Sequence, residues 1–207
     1  MPATTTAAVD NAFIVIIALC ILLFVLIIFF TIFFAVRYRR SRNPVPSNLH
    51  GNWVLELVWI IAATVIALGI FFYGLTGFTF LRNVPADSMR VQVTARQWSW
   101  LFTYDNGRKS TDLVVPQGRD IALDMMSLDV IHGFFIPAYR VKQDIVPGMK
   151  NHLWFKAENL GNFDILCTQY CGREHSKMLA TVYVVAPDVF QKWYDGEDVD
   201  IPGLTSE

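Results

Sequence analysis

Hydrophobic and polar positions alternate in three different ways along the chain. From Phe13 to Val36 nearly every residue is aliphatic or aromatic, with only Cys20 and Thr31 interrupting. That run is longer than the roughly 20 residues a helix needs to cross a bilayer. A second apolar run starts near Trp53 and continues to about Tyr73, fading through Gly74, Gly77 and the aromatic positions up to Phe80. After Pro85 the pattern changes. Val91, Val93 and Ala95 alternate with polar residues, which is the period of a half-buried strand. Further short runs follow at Leu101–Tyr104, Leu113–Val115, Ile121–Met126, His152–Lys156, Phe163–Leu166 and Leu179–Val185. Turn residues separate several of them: Asp105-Asn106-Gly107, Pro116-Gln117-Gly118, Pro147-Gly148 and Leu160-Gly161-Asn162. About seven short strands at this spacing predict a Greek-key sandwich or barrel. The layout expected is a short segment over 1–12, a two-helix hairpin over 13–82, an all-β domain over 83–186 and a short amphipathic, acidic tail over 187–207. The hairpin has spans at about 13–36 and 53–75 and a loop at 37–52.

Charge orients the hairpin. Arg37, Arg39, Arg40 and Arg42 lie in the connecting loop with Pro44 and Pro46, and no basic residue precedes the first span. By the positive-inside rule the loop is cytoplasmic and both termini lie on the opposite side. Trp53, Trp59 and the Phe71-Phe72-Tyr73 cluster suit interfacial aromatic belts. A cleaved signal peptide fits less well, because the first run lacks a basic leader and is too long for a signal core. Cys20, in mid-span, reads as ordinary helix packing. Composition agrees, with 54% apolar residues overall and a formal net charge of −1. The charges are segregated: from Asn83 to Glu207 there are sixteen acids against twelve Lys and Arg, a net of −4.

The chemistry concentrates in Cys167–Met178, C-T-Q-Y-C-G-R-E-H-S-K-M. Two thiolates, an imidazole and a thioether on one loop are ligands for a soft or borderline metal, copper foremost. Three plainer readings stand beside it: a small-loop disulfide between Cys167 and Cys171, half of a structural zinc site, or inert buried thiols. Zinc gains nothing from Met178. Single-copper electron-transfer sites use one cysteine, whereas here a second could bridge two ions.

The loop resembles the binuclear copper (CuA) loop of subunit II of haem-copper cytochrome c oxidases, C-x-E-x-C-G-x-x-H-x-x-M. That family takes a further histidine from an upstream D-V-x-H segment, matched here by Asp129-Val130-Ile131-His132. The resemblance implies a cupredoxin-like β domain and six copper donors: His132, Cys167, the backbone carbonyl of Gln169, Cys171, His175 and Met178. One position departs from the pattern, because the family's glutamate is Gln169 here. The carboxylate of that glutamate also binds magnesium at the border with subunit I, so a magnesium site through Gln169 is left in question.

Two more segments carry the resemblance. Alternation puts Trp98, Trp100, Phe102 and Tyr104 on one strand face, which reads as core for the last three. Gln97-Trp98-x-Trp100 is similar to the family's aromatic motif, whose first tryptophan receives the incoming electron, a role carried to Trp98 alone. Arg96 and Ser99 replace the family's usual His and Tyr. Glu56-Leu57-Val58-Trp59 resembles the E-x-x-W at the mouth of a proton channel into subunit I. By itself Glu56 is either a residue snorkelling to the interface or a functional one.

The implied function is electron input to a respiratory oxidase. Cytochrome c or a similar carrier reduces the copper pair, which passes the electron to haem in subunit I for reduction of oxygen to water. Subunit I (haem and CuB), subunit III, an electron donor and the lipid bilayer are the implied partners; no nucleic acid is expected, and no nucleotide-binding glycine motif occurs. No C-x-x-C-H haem attachment sequence is present. His50 falls in the loop and His132, His152 and His175 in the outer domain, so the oxygen site belongs to the partner and this chain alone should not be an oxidase. A membrane-tethered copper-binding or copper-delivery protein is the alternative. It would need neither Glu56 nor the Trp98 motif. A quinol-oxidase subunit would have lost the ligands. The expected place is a bacterial plasma membrane, in preference to an organelle inner membrane, with the β domain on the periplasmic or extracellular side. A basic cytochrome c would be steered by the acidic outer domain, with Asp129 either a docking carboxylate or the orienter of His132.

Overall fold

Two long apolar helices, a short third helix and ten strands are found in the computed structural model, which describes residues 4–45 and 50–204. The part of the expected loop that holds Pro46 lies outside the described residues. The chain divides into a membrane-type unit over Val9–Thr79 and a β unit formed by Phe80–Glu207 with Met1–Ala8.

Helices α1 (Thr5–Arg37) and α2 (Trp53–Arg82) are each long and apolar enough to cross a membrane. Both are apolar on every side, and an α-helix satisfies its own backbone groups, as hydrocarbon requires. The threonines inside them behave accordingly: Thr31 Oγ1 donates to Ile27 O at 2.7 Å and Thr64 Oγ1 to Ile60 O at 2.7 Å. Helix α2 starts where Asn52 Oδ1 accepts the N–H groups of Val54 (3.0 Å) and Leu55 (3.3 Å), a side-chain N-cap. It then runs through Gly74 and Gly77 to Arg82 instead of fading near residue 75. Each glycine costs a helix about 1 kcal/mol relative to alanine, less than leaving backbone groups unpaired in lipid. Helix α1 likewise begins eight residues before Phe13, at Thr5.

The β unit holds two five-stranded sheets. The first has the order β3-β2-β1-β5-β8, from Lys109–Ser110, Ser99–Tyr104, Met89–Arg96, Asp120–Ser127 and Asn151–Lys156. The second has the order β4-β10-β9-β6-β7, from Leu113–Pro116, Leu179–Val185, Gly161–Cys167, His132–Ile136 and Val141–Ile145. A short helix, α3 (Pro187–Tyr194), follows. The alternation read from sequence becomes the inner face: Val91, Val93 and Ala95 of β1 and Trp100, Phe102 and Tyr104 of β2 are buried, and they share one core with Phe134, Ile136, Ile165, Val182 and Val184 of the second sheet. Each such side chain contributes about 1.5–3 kcal/mol on full burial.

Strands β3, β6 and β7 were not anticipated by the hydrophobic pattern. Strand β6, H-G-F-F-I, is buried at four of its five positions and so shows no alternation. Strand β7 is an edge strand carrying Lys142, Gln143 and Asp144, polarity that blunts an open edge.

One buried polar pair ties β2 to β4. Tyr104 Oη donates to Val114 O (2.9 Å) and accepts from Val114 N (2.8 Å) in a fully buried setting. Burial first of all pushes the Tyr104 hydroxyl well above the ordinary tyrosine range. Tyr104→Phe leaves both Val114 groups unpaired and should destabilise the β unit by about 1–3 kcal/mol. Denaturant unfolding followed by near-UV circular dichroism checks it; an unchanged midpoint would mean the hydroxyl contributes nothing.

Candidate metal centre

The donor residues converge because three neighbouring strands reach one end of the second sheet together. Cys167 ends β9 and pairs with Phe134 of β6, whose first residue is His132. Leu179 opens β10 opposite Leu166 of β9, which places Met178 beside the same end. The connection between β9 and β10 folds back through a single 3-10 turn at His175–Lys177, where His175 N donates to Gly172 O at 3.1 Å. Sequence separation between His132 and Cys167 is thus erased by the β6–β9 register.

Five of the six expected donors lie against one another. Cys167 Sγ and Cys171 Sγ are 3.8 Å apart, Cys171 Sγ is 3.5 Å from His175 Nδ1 and 3.8 Å from Met178 Sδ, and Cys167 Sγ is 3.4 Å from the Gln169 carbonyl oxygen. His132 joins them, since ligand atoms of His132, Cys167 and Cys171 all lie within 4.8 Å of one another. Both cysteines are free, and 3.8 Å is far beyond the roughly 2.05 Å of a disulfide bond. The disulfide reading therefore fails.

His132 is fully buried, and its two ring nitrogens have different surroundings. Nε2 lies 2.8 Å from Asp129 Oδ1, while Nδ1 is buried without a hydrogen-bond partner. A buried imidazole nitrogen without a partner is costly unless something binds it, so its lone pair is the natural metal donor. Trp100 packs edge-on against the same ring, 6.1 Å between centroids, and donates Nε1–H to Met178 O at 3.4 Å. Burial, and after it the neighbouring Cys167, pushes the Cys171 thiol up to about 11. At neutral pH the thiol therefore keeps its proton until a cation displaces it. This donor set suits copper: two thiolates, two imidazoles and a thioether favour a soft ion, and Met178 adds nothing for zinc.

Asp129 stands at the surface with its carboxylate held by neighbouring groups. Its Oδ2 accepts from Gln97 N at 2.6 Å, and its Oδ1 accepts from Val130 N at 2.6 Å and faces His132. Burial alone would raise its pKa; the hydrogen bonds from Gln97, His132 and Val130 outweigh that and lower it. Of the two roles open to Asp129 in the sequence, this geometry suits orientation of the His132 ring.

Gln97 and Trp98 form the two-residue turn between β1 and β2, joined by a cis peptide bond. Gln97 Nε2 donates to Cys171 O at 2.7 Å. Trp98 is 37% exposed, unlike the buried Trp100, Phe102 and Tyr104. Its indole lies over Gly172, where an added Cβ would come within 3.2 Å of the ring. Gly172 also has φ +124, a left-handed value that favours glycine. Glu56 belongs to the other unit, in the first turn of α2 with its N–H bonded to Asn52 O at 3.0 Å. His152 pairs across β5 with Asp124 and takes no part in the cluster.

Three features escaped the sequence reading. Tyr170 stands 78% exposed with its ring 5.7 Å from that of His175. Gly172 accommodates Trp98, and Gly133 lets β6 approach the copper loop. A Cβ on Gly133 would collide with the Thr168 side chain and sit 2.9 Å from Gln169 N. Glycines directly after a ligand, at His132-Gly133 and Cys171-Gly172, are the signal that could have found them. Gly133→Ala should push Cys167 away from His132 and reduce copper retention severalfold while circular dichroism of the sheet stays unchanged. Metal analysis after gel filtration tests it; full copper content would remove the close approach from the design of the site.

Comparison with known proteins points one way. The family model described as cytochrome C oxidase subunit II, periplasmic domain, matches residues 108–185. Cytochrome c oxidase subunit 2 of Alkalihalophilus pseudofirmus is 29% identical over 184 residues, covering 83% of this chain and 54% of that protein. The subunit 2 of Cereibacter sphaeroides is 29% identical over 226 residues, covering 89% of this chain and 74% of that one. The chain thus spans about half the length of the first relative and about three quarters of the second. The crystal structure of the periplasmic domain of subunit II of cytochrome oxidase from Bradyrhizobium japonicum superposes with a TM-score of 0.52 at 32% identity, over 55% of this chain and 95% of that one. With its paired apolar helices, its cupredoxin-like sandwich and its clustered sulfur and imidazole donors, the chain belongs to the cytochrome c oxidase subunit II family.

Proposed function

We propose that this chain is the electron-input subunit of a respiratory haem-copper oxidase, taking single electrons from cytochrome c or a comparable carrier and relaying them to haem in subunit I. The observation that carries the reading is the convergence of two free cysteine sulfurs, 3.8 Å apart, with His175 Nδ1, Met178 Sδ and the unpartnered Nδ1 of His132. A binuclear copper centre held there would supply a one-electron site whose charge is shared over two ions.

The protein's own groups do the rest. Cys167 and Cys171 would hold the copper through their thiolates, His132 and His175 through ring nitrogens, and Met178 and the Gln169 carbonyl would complete the set. Asp129 holds the His132 ring in place from the far side of its imidazole. Met178, fully buried, and Trp100 exclude water from the inner side of the loop. A dry, rigid donor set limits the reorganisation that accompanies each electron. Trp98, partly exposed and lying over the copper loop, is the proposed entry point. Magnesium, a hard ion that favours carboxylates and water, gains little from the uncharged amide of Gln169.

Glu56 is proposed to collect protons at the cytoplasmic end of α2 and pass them toward subunit I. The competing role is that of an acid favourably placed at a helix N-terminus. The oxygen-reducing site is assigned to the partner subunit, with the β unit on the periplasmic side of the membrane.

Metal content separates the side-chain donors from the backbone one. Gln169→Ala should keep both coppers and Cys171→Ser should lose at least one; copper loss from a folded Gln169→Ala would sink the carbonyl assignment. Trp98→Phe should slow donor-driven reduction severalfold in stopped flow while leaving the copper spectrum as it was. For Glu56→Gln, turnover of the assembled oxidase should drop severalfold with copper reduction unaffected. Wild-type turnover across pH would reduce Glu56 to a helix-end residue.

A further inference from the structure

The charges of the β unit are distributed unevenly, and the copper end is not its acidic end. Three cations flank Trp98 and the copper loop. Arg96 precedes the Gln97–Trp98 turn, and Arg173 follows Gly172, on whose Cα side the Trp98 indole lies. Lys177 is the third. Arg96 is exposed and bonds only the Ser99 hydroxyl (Nε to Oγ, 3.0 Å), and Arg173 is exposed; neither has an ion pair among the described residues. Two acids lie in the same neighbourhood, and both are engaged. Asp129 is turned toward Gln97 N, Val130 N and His132, and Glu174 is paired with Lys177 at 2.8 Å.

The acidic tail sits elsewhere. Asp195, Glu197, Asp198 and Asp200 follow α3, which packs on the Tyr104 end of β2, with Trp193 5.1 Å from the Tyr104 ring and Tyr194 O accepting from Asn106 Nδ2 at 2.6 Å. Ser99, beside Trp98, is at the other end of that strand, roughly 17 Å away at about 3.4 Å per residue. The net −4 of the outer segment is therefore a poor guide to the field at the electron entry point. At short range, within a Debye length of about 8–10 Å, Arg96, Arg173 and Lys177 stand against Asp129 and Glu174, and the two arginines are the cations without an ion pair among the described residues.

We propose that the surface around Trp98 takes a one-electron carrier protein through an acidic face of that carrier, with Arg96 and Arg173 as the docking cations. The proposal rests on the electron-input reading and names the kind of donor it uses. On transfer the carrier is oxidised by one electron and the site accepts that electron; no bond is made or broken and no proton moves. A basic cytochrome c steered by the net charge of the outer domain is the alternative that the test separates from this proposal.

The test uses the full copper-loaded chain in detergent and two probes, an acidic plastocyanin and a basic mitochondrial-type cytochrome c. Binding of both oxidised carriers is measured by calorimetry over a range of salt, and reduction by the reduced carriers in stopped flow. Plastocyanin should bind the tighter of the two at low salt and weaken about tenfold as salt rises through the physiological range. Arg96→Glu/Arg173→Glu should invert the preference with the copper spectrum unchanged, and Arg96→Glu alone, outside the copper loop, should move it in the same direction. Tighter binding of the basic cytochrome, unaffected by either variant, overturns the inference and leaves the electron-input reading standing. Plastocyanin that binds as expected but never reduces the copper does the opposite. If the assembled oxidase carrying the double variant is reduced by plastocyanin as fast as wild type, a partner subunit covers this face and the donor inference falls.

Discussion

The metal end of this protein depends on the register between β6 and β9. Pairing of Phe134 with Cys167 sets His132 two residues before the cross-strand partner of the first cysteine. Leu166 paired with Leu179 then brings Met178 back to the same level. A slip of one residue in either ladder would turn the donors to opposite faces of the sheet. The register is held by the core beneath it, where Phe134, Ile165 and Val182 are fully buried on the inner face. Packing deep in the sandwich thus determines where four side chains meet at its rim.

Around that rim, hydrogen bonds convert position into orientation. Asp129 links the His132 ring to the Gln97 backbone, and the Gln97 side chain links onward to the carbonyl of Cys171. The turn that carries Trp98 is consequently tied to both sides of the cluster. The bonds to Asp129 orient its carboxylate and favour its charged form without neutralising it.

The membrane unit follows different physics. Its helices are apolar on every side, and between the end turns the backbone groups are paired within the helix, as lipid requires. That explains why α2 tolerates Gly74 and Gly77 and continues to Arg82, where an aqueous helix of that composition would have ended sooner.

Sequence alone determined the two apolar spans, six of the ten strands beyond the first alternating one at Val91–Ala95, and the Cys167–Met178 loop as the place where sulfur and imidazole groups gather, because those features are local: period, run length and residue spacing. Burial without alternation hid β6, and a polar edge hid β7, so the strand that delivers His132 was legible only as a motif. The bond from Gln97 N to Asp129, and the close approaches that leave no room for side chains at Gly133 and Gly172, were decided by contacts between residues 30 to 80 positions apart. So was the set of charged groups left exposed around Trp98. Net charge is a sum over the chain, whereas a docking partner meets only the few groups that tertiary folding leaves unpaired on one surface.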